Sequence, residues 1–311
     1  FPMGAVLTRR LCEEKLCSIS EAERLVAFTN NSSPLFILAA VAVGMYGNPL
    51  LGVILAVAHY SSNIIIGILL ALFSLDRKNH CIPLCKENLL VKSILTLIAA
   101  QKNRKPLGKL LGDSIKAGIT NITLIGGFVV IFAVLIRLLT AAGIIGRIMS
   151  LCATLIKAFG YSPALGSGFT VGFWEMTLGL RELSFPVLSL TERAVAASII
   201  LGWSGLSIQA QVTSVLSGSG IRPHLYYLGR FLQGALGGFI AFALSHTTGI
   251  WADFISLPTF SFPPFDNPFA LLTINLRDYI PFVFKSSFLL FAIMLTLSYV
   301  IYTFHFIYRK I

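Results

Sequence analysis

Two stretches limit what this chain can fold into. Phe28 to Ile37, FTNNSSPLFI, and Ile199 to Ile208, IILGWSGLSI, each sit inside a longer apolar run, where a helix crossing a bilayer has only hydrocarbon to face. Asn30, Asn31, Ser32, Ser33 and Pro34 interrupt the first, and Gly202, Trp203, Ser204 and Gly205 interrupt the second. Pro34 lacks a backbone donor and collides with the preceding turn, while paired glycines loosen helical geometry, so both segments are expected to be broken helices with unwound backbone at membrane depth. Backbone of that kind is tolerated there only inside protein or beside a watery cavity. Interrupted apolar segments at corresponding positions of two halves point to a transport-type binding site.

Composition decides between a bilayer and a soluble core. Of the 311 residues 56% are hydrophobic and 12% charged, against roughly 25% charged in a soluble domain. The apolar runs are about twenty residues long and lack the period-two alternation of outer-membrane strands, which predicts an all-α polytopic membrane protein. Nine of the 24 Lys and Arg lie between Arg77 and Lys116, so the net charge of +11 reads as a cytoplasmic loop under the positive-inside rule. Basic blocks that bind nucleic acid need an aromatic or groove-reading companion, and no such partner is expected here. Cys12, Cys17, Cys81, Cys85 and Cys152 form no framework, and His80, Cys81 and Cys85 lack a second ligand pair at zinc spacing. No phosphate-binding glycine loop, dinucleotide fingerprint, zinc-protease motif or nucleophile elbow occurs. The expectation is therefore no metal, no cofactor, no catalytic residue and no enzyme activity.

Along the chain, residues 1–76 form a first repeat, and Phe1-Pro2-Met3-Gly4 reads as the inside of a motif, so an upstream piece is expected. Ser20 and Glu23 have capping-box spacing and would start a helix running into the first break. Pro34 to Met45 is too short to cross alone, whereas Leu50 to Phe73 is a full span containing His59. Residues 77–116 are the basic connection, with a surface helix over Leu89 to Ala100. Residues 117–167 hold the rest of a crossing helix that starts at Ile115 and ends at Leu139, then an interfacial helix over Ile144 to Phe159 marked by Arg147 and Lys157. Residues 168–246 repeat the first pattern, 247–278 are a Pro- and Phe-rich outer loop, and 279–311 supply a C-terminal transmembrane helix.

The repeat rests on matching landmarks 169 to 172 positions apart. Glu192-Arg193 answers Glu23-Arg24, Ser204-Gly205-Leu206-Ser207-Ile208 answers Ser33-Pro34-Leu35-Phe36-Ile37, and Arg230 falls near the place of His59. One crossing separates the halves, so the two repeats are expected to be inverted, each with a broken helix.

Asn30, Asn31, Ser32 and Ser33 offer amide and hydroxyl groups without charge, and the helix restart after Pro34 offers unpaired N–H groups at the positive end of a dipole. Gly202, Ser204 and Gly205 supply the same from the other half. Such a site suits a neutral or zwitterionic small solute, or an ion held by carbonyls; the competing reading makes both breaks packing devices. Gln209 and Gln211 flank the second break, and Trp203 either stacks on a ring-shaped ligand or packs in the bundle. Glu175, in the apolar stretch GSGFTVGFWEMTLG, is a candidate coupling or gating group partnered by His59 or Arg230, or else a structural partner of Arg181.

FTNNSSPLFI, GFWEMTLG and ILGWSGLSIQAQV resemble the signature stretches of the YlbJ-type sporulation integral membrane proteins, within the group carrying the nucleoside-recognition "Gate" domain. The likeness runs from Phe1 to about His246. It implies inverted Gate-type repeats in a multi-pass cell-membrane protein with a role in endospore formation, in the cortex step, and it implies no particular solute. Two functions from different classes follow. One is a transporter or permease for a small polar solute; the other is a non-transporting scaffold for spore-envelope assembly that recruits a partner through the basic loop. The partners expected are the lipid bilayer, the solute, and a second copy or another sporulation membrane protein.

Overall fold

The computed structural model describes residues 2–72 and 106–246, and within them every regular element is a helix. In chain order these are α1 (Met3–Glu13), α2 (Ile19–Thr29), the π-helix α3 (Phe36–Met45), α4 (Pro49–Leu72), α5 (Leu107–Ala141) and α6 (Ile144–Ala158). They continue as α7 (Leu165–Trp174), α8 (Met176–Glu182), α9 (Leu190–Trp203), α10 (Gly205–Leu216) and α11 (His224–His246). Four stretches among the described residues are long and apolar enough to cross a membrane: Pro49–Leu72, Leu107–Ala141, Leu190–Leu216 and His224–His246. Most of the basic connection with His80, Cys81 and Cys85, the surface helix at 89–100, the Pro/Phe-rich loop at 247–278 and the C-terminal helix at 279–311 lie outside the described residues.

The helix boundaries have local causes. Ser18 starts α2 with a reciprocal capping box: Glu21 N donates to Ser18 Oγ at 3.3 Å and Ser18 N donates to Glu21 Oε2 at 2.8 Å. The expected box at Ser20 and Glu23 is therefore displaced by one pair; Glu23 instead accepts from the backbone and side chain of Arg222. Ser189 and Glu192 start α9 in the same way. These two boxes stand 171 positions apart, which replaces the Glu23–Glu192 match by Glu21–Glu192. Asn48 Oδ1 accepts from Leu51 N at 3.1 Å at the start of α4, where Pro49 needs no donor of its own. Gly143, with φ +72°, makes the left-handed turn between α5 and α6. Helix α5 begins at Leu107, so the last residues of the basic connection are already helical.

Helices α9 and α11 form the most extensive pairing, and α11 packs on α4 and α2 as well. Glycines allow the first contact: a Cβ on Gly202 would lie 2.5 Å from Gly234 Cα, and one on Gly238 would meet the Ile199 side chain at 2.6 Å. Leu51, Leu55 and Ala58 of α4, Val26 of α2 and Leu201 of α9 lie in the buried apolar cluster around this seam. Helix α11 thus stands between the elements that carry the two breaks. Helix α5, in contrast, has a single buried residue, Ile136.

Candidate functional site

The first break is unwound from Asn30 to Ser33, after which α3 follows as a π-helix rather than an α-helix. Its loosened carbonyls are met by side chains from α4 and α11. Arg230, 0% exposed, donates from Nη2 to Ala27 O at 2.9 Å and to Asn63 Oδ1 at 3.2 Å, and from Nη1 to Asn30 O at 3.1 Å. Asn63 Nδ2 donates to Phe28 O, which also accepts from Asn31 Nδ2 at 2.9 Å. Tyr60 OH donates to Ser32 O at 2.8 Å, and Ser32 N donates to His59 Nε2 at 3.4 Å. A cation at a helix C-terminus is favoured by the dipole, and Arg230 serves α2 in that way. Its oxygen partners are neutral: two carbonyls and one amide. Among the described residues no carboxylate pairs with it.

The second break is tighter. Ser204 and Gly205 both take left-handed backbone, with φ +69° and +75°. Ser204 N bonds back to Ile200 O at 2.8 Å, and Gln209 Nε2 donates to Trp203 O at 3.1 Å. A neutral amide thus holds the end of α9 where a guanidinium holds the end of α2. Helices α7 and α8 are themselves separated at Glu175, which is extended at φ −140° and ψ 118°. A Cβ on Gly205 would lie 2.8 Å from Met176 N, so the two interruptions cross backbone to backbone. Glycine at 205 permits both the positive φ and this approach.

Glu175 is 1% exposed, and its Oε2 accepts from Leu178 N at 2.7 Å, capping α8. Among the described residues it makes no ion pair with Arg230, His59 or Arg181. Trp203 Nε1 donates to Phe173 O at 3.1 Å, and its ring stacks on Phe173 at 5.6 Å between centroids. Ser33 is exposed and accepts from Phe36 N at 3.2 Å, a cap for the restarted helix.

The two breaks are linked through α11. Gln233 Nε2 donates to His59 O at 3.1 Å, and the backbone of Gln233 and Gly234 is what Gly202 packs on. Ser32, His59, Gln233 and Gly202 therefore form one contiguous path between them. Buried polar atoms with no protein partner occur at the first break (Asn30 Oδ1, Asn31 Oδ1 and Ser32 Oγ), on α11 (Arg230 Nε and Gln233 Oε1), and on the helices either side of the second break (Ser198 Oγ, Ser207 Oγ and both side-chain heteroatoms of Gln211). A buried polar group without a partner costs about 1–3 kcal/mol, so these atoms are candidates for contact with something polar.

The structure thus gathers Asn30, Asn31, Ser32, His59 and Arg230 at one break and Gly202, Trp203, Ser204, Gly205, Gln209 and Glu175 at the other. It adds Tyr60, Asn63, Tyr226 and Gln233, which were not among the sequence candidates. Their spacing carried a signal. His59 and Asn63 are four apart in an apolar helix, and Tyr226, Arg230 and Gln233 are four and three apart in another, so each set shares one face. The site is also more strongly charged than its uncharged sequence motif implies, because Arg230 comes from 200 residues away.

Comparison with curated proteins finds the sporulation integral membrane protein YlbJ of Bacillus subtilis (strain 168), 37% identical over 238 residues, covering 75% of this chain and 58% of that protein. The chain thus spans less than two thirds of that relative's length. No protein-family model matches it, and no solved structure does.

Proposed function

With the chain assigned by that match to the YlbJ type of sporulation integral membrane proteins, we propose that it is a transporter or permease for a small polar solute. The solute binds between the two broken helices, in Gate-type repeats of opposite orientation, and its movement serves the cortex step of endospore formation. One observation carries this reading: unpartnered buried polar atoms lie at the first break, on α11 and on the helices that flank the second break. Packing devices alone would need no such atoms. Arg230 narrows the solute class. A buried guanidinium balanced only by neutral oxygens keeps most of its charge, and a ligand bringing a carboxylate or similar anion gains a charge-assisted contact in a low-dielectric setting.

The test is a thermal-stability screen of the full-length protein in detergent against nucleosides, amino acids, carboxylates, peptidoglycan precursors and divalent metals, repeated with Ser32→Ala. Ser32 Oγ is buried without a partner, so its removal should leave the unliganded fold intact. A ligand at a hundred times its Kd adds about 2.7 kcal/mol of apparent stability. A shift with carboxylates that shrinks in Ser32→Ala supports the reading. No shift with any class, and a variant as stable as its parent, would transfer the weight to a scaffold role and direct attention to the basic connection at 77–116.

A further inference from the structure

The geometry points to Asn63 as the residue that sets the charge of the solute site, by giving Arg230 an oxygen without a charge. This rests on the reading of Arg230 as the group that meets an anion. Asn63 is 5% exposed and divides its amide between two duties: Oδ1 accepts from Arg230 Nη2 at 3.2 Å, while Nδ2 donates to Phe28 O. Only the first touches the guanidinium. A carboxylate of the same size would reach the same nitrogen, and the neighbouring Nε has no partner to give up. An aspartate there could take both in the forked geometry that guanidinium groups favour. The second duty would be lost, since a carboxylate has no hydrogen for Phe28 O and must turn its second oxygen away from that carbonyl towards Nε. Phe28 O keeps its bond from Asn31 Nδ2. An amide at this position therefore holds the break together while leaving the positive charge available. The other charged groups of the region are engaged elsewhere: Glu23 with Arg222, and Glu175 with the start of α8. Tyr226, whose ring lies 5.6 Å from the guanidinium, adds no formal charge, and His59 meets Arg230's helix through Gln233.

The position 171 residues on from Asn63 is Gly234, at the seam with α9. The two halves use this register differently: one for close approach, the other for a hydrogen-bonding side chain that tunes a neighbouring charge.

The experiment measures binding of a carboxylate and of the matching carboxamide to the full chain in detergent, for the unaltered protein and Asn63→Asp. The unaltered protein should prefer the carboxylate by tenfold or more. Asn63→Asp should abolish or reverse that preference while melting no lower than the parent, and should leave binding of the carboxamide within about threefold. A merely structural asparagine, once replaced, would weaken both ligands alike. If the unaltered protein shows no preference for the carboxylate, the anion reading itself fails. If it does and Asn63→Asp keeps the preference, that reading stands and the role of Asn63 is overturned. Failure of Asn63→Asp to fold also overturns it, since an uncompensated buried guanidinium should welcome a carboxylate at this distance.

Discussion

Gly202 and Gly234 touch backbone to backbone: a Cβ on Gly202 would lie 2.5 Å from both the Cα and the N of Gly234. The contact holds the end of α9 against the helix that also carries Arg230 and Gln233. Gly202→Ala must push the helices apart, and overpacking of this kind costs about 1–3 kcal/mol. The variant is expected to melt lower and to exchange amide hydrogens faster at Asn30 to Ser33, because the displacement reaches Gln233 and His59. Gly126→Ala on α5, where nothing lies within 4 Å, should change stability by less than about 0.5 kcal/mol.

Arg230→Met leaves the carbonyls of Ala27 and Asn30 and the Oδ1 of Asn63 without their shared donor. Each orphaned buried acceptor costs on the order of 1–3 kcal/mol, partly offset by relief of the buried charge. A net loss of about 3 kcal/mol is expected in thermal unfolding, with loss of carboxylate binding measured on whatever fraction remains folded.

Ser18→Ala and Ser189→Ala each remove a capping box and should cost about 1 kcal/mol, alike in both halves. Ser20→Ala should cost less than about 0.5 kcal/mol, since Ser20 lies within α2 and makes only a 3.3 Å contact to Ser18 Oγ. A larger effect at Ser20 than at Ser18 in denaturation midpoints would contradict the observed register.

Glu175 has a structural duty and a proposed functional one, and two substitutions separate them. Glu175→Gln keeps an oxygen able to accept from Leu178 N and should hold stability within about 0.5 kcal/mol, whereas Glu175→Ala should lose about 1 kcal/mol with the cap. Uptake into proteoliposomes then decides. Uptake abolished in Glu175→Gln assigns the charge a part in coupling or gating, and unchanged uptake confines Glu175 to capping.

Much of this architecture was readable from the chain itself, because the features that break a helix in an apolar run are local. Pro34, Gly202 and Gly205 announced both interruptions, and Ser189 with Glu192 has the spacing of a start signal. The first capping box was misassigned by one pair because Ser18, Ser20, Glu21 and Glu23 offer two overlapping choices at the same spacing; tertiary contact of Glu23 with Arg222 resolved them. Arg230 was legible as a candidate because it stands near the place of His59 in the other half, but its partners were not. The sequence offers Glu175 as its partner, whereas it donates to Ala27 O, Asn30 O and Asn63 Oδ1, and Asn63 becomes informative only once it is known to face that group. The π-helical winding of α3 was equally hidden, since its apolar sequence suits either winding.

Helix α5 carries a consequence for the thickness of the molecule. Its 35 residues extend about 52 Å, well beyond the roughly 30 Å of a hydrocarbon core. Even at a tilt of 40° it would cover about 40 Å along the bilayer normal. Lys116 and Arg137 bracket twenty residues without a charge, 117–136, about the length the core accepts. The preceding ten residues, 107–116, add roughly 15 Å of helix, so α5 is longer than a hydrocarbon core requires at the end that carries Lys109, Asp113 and Lys116.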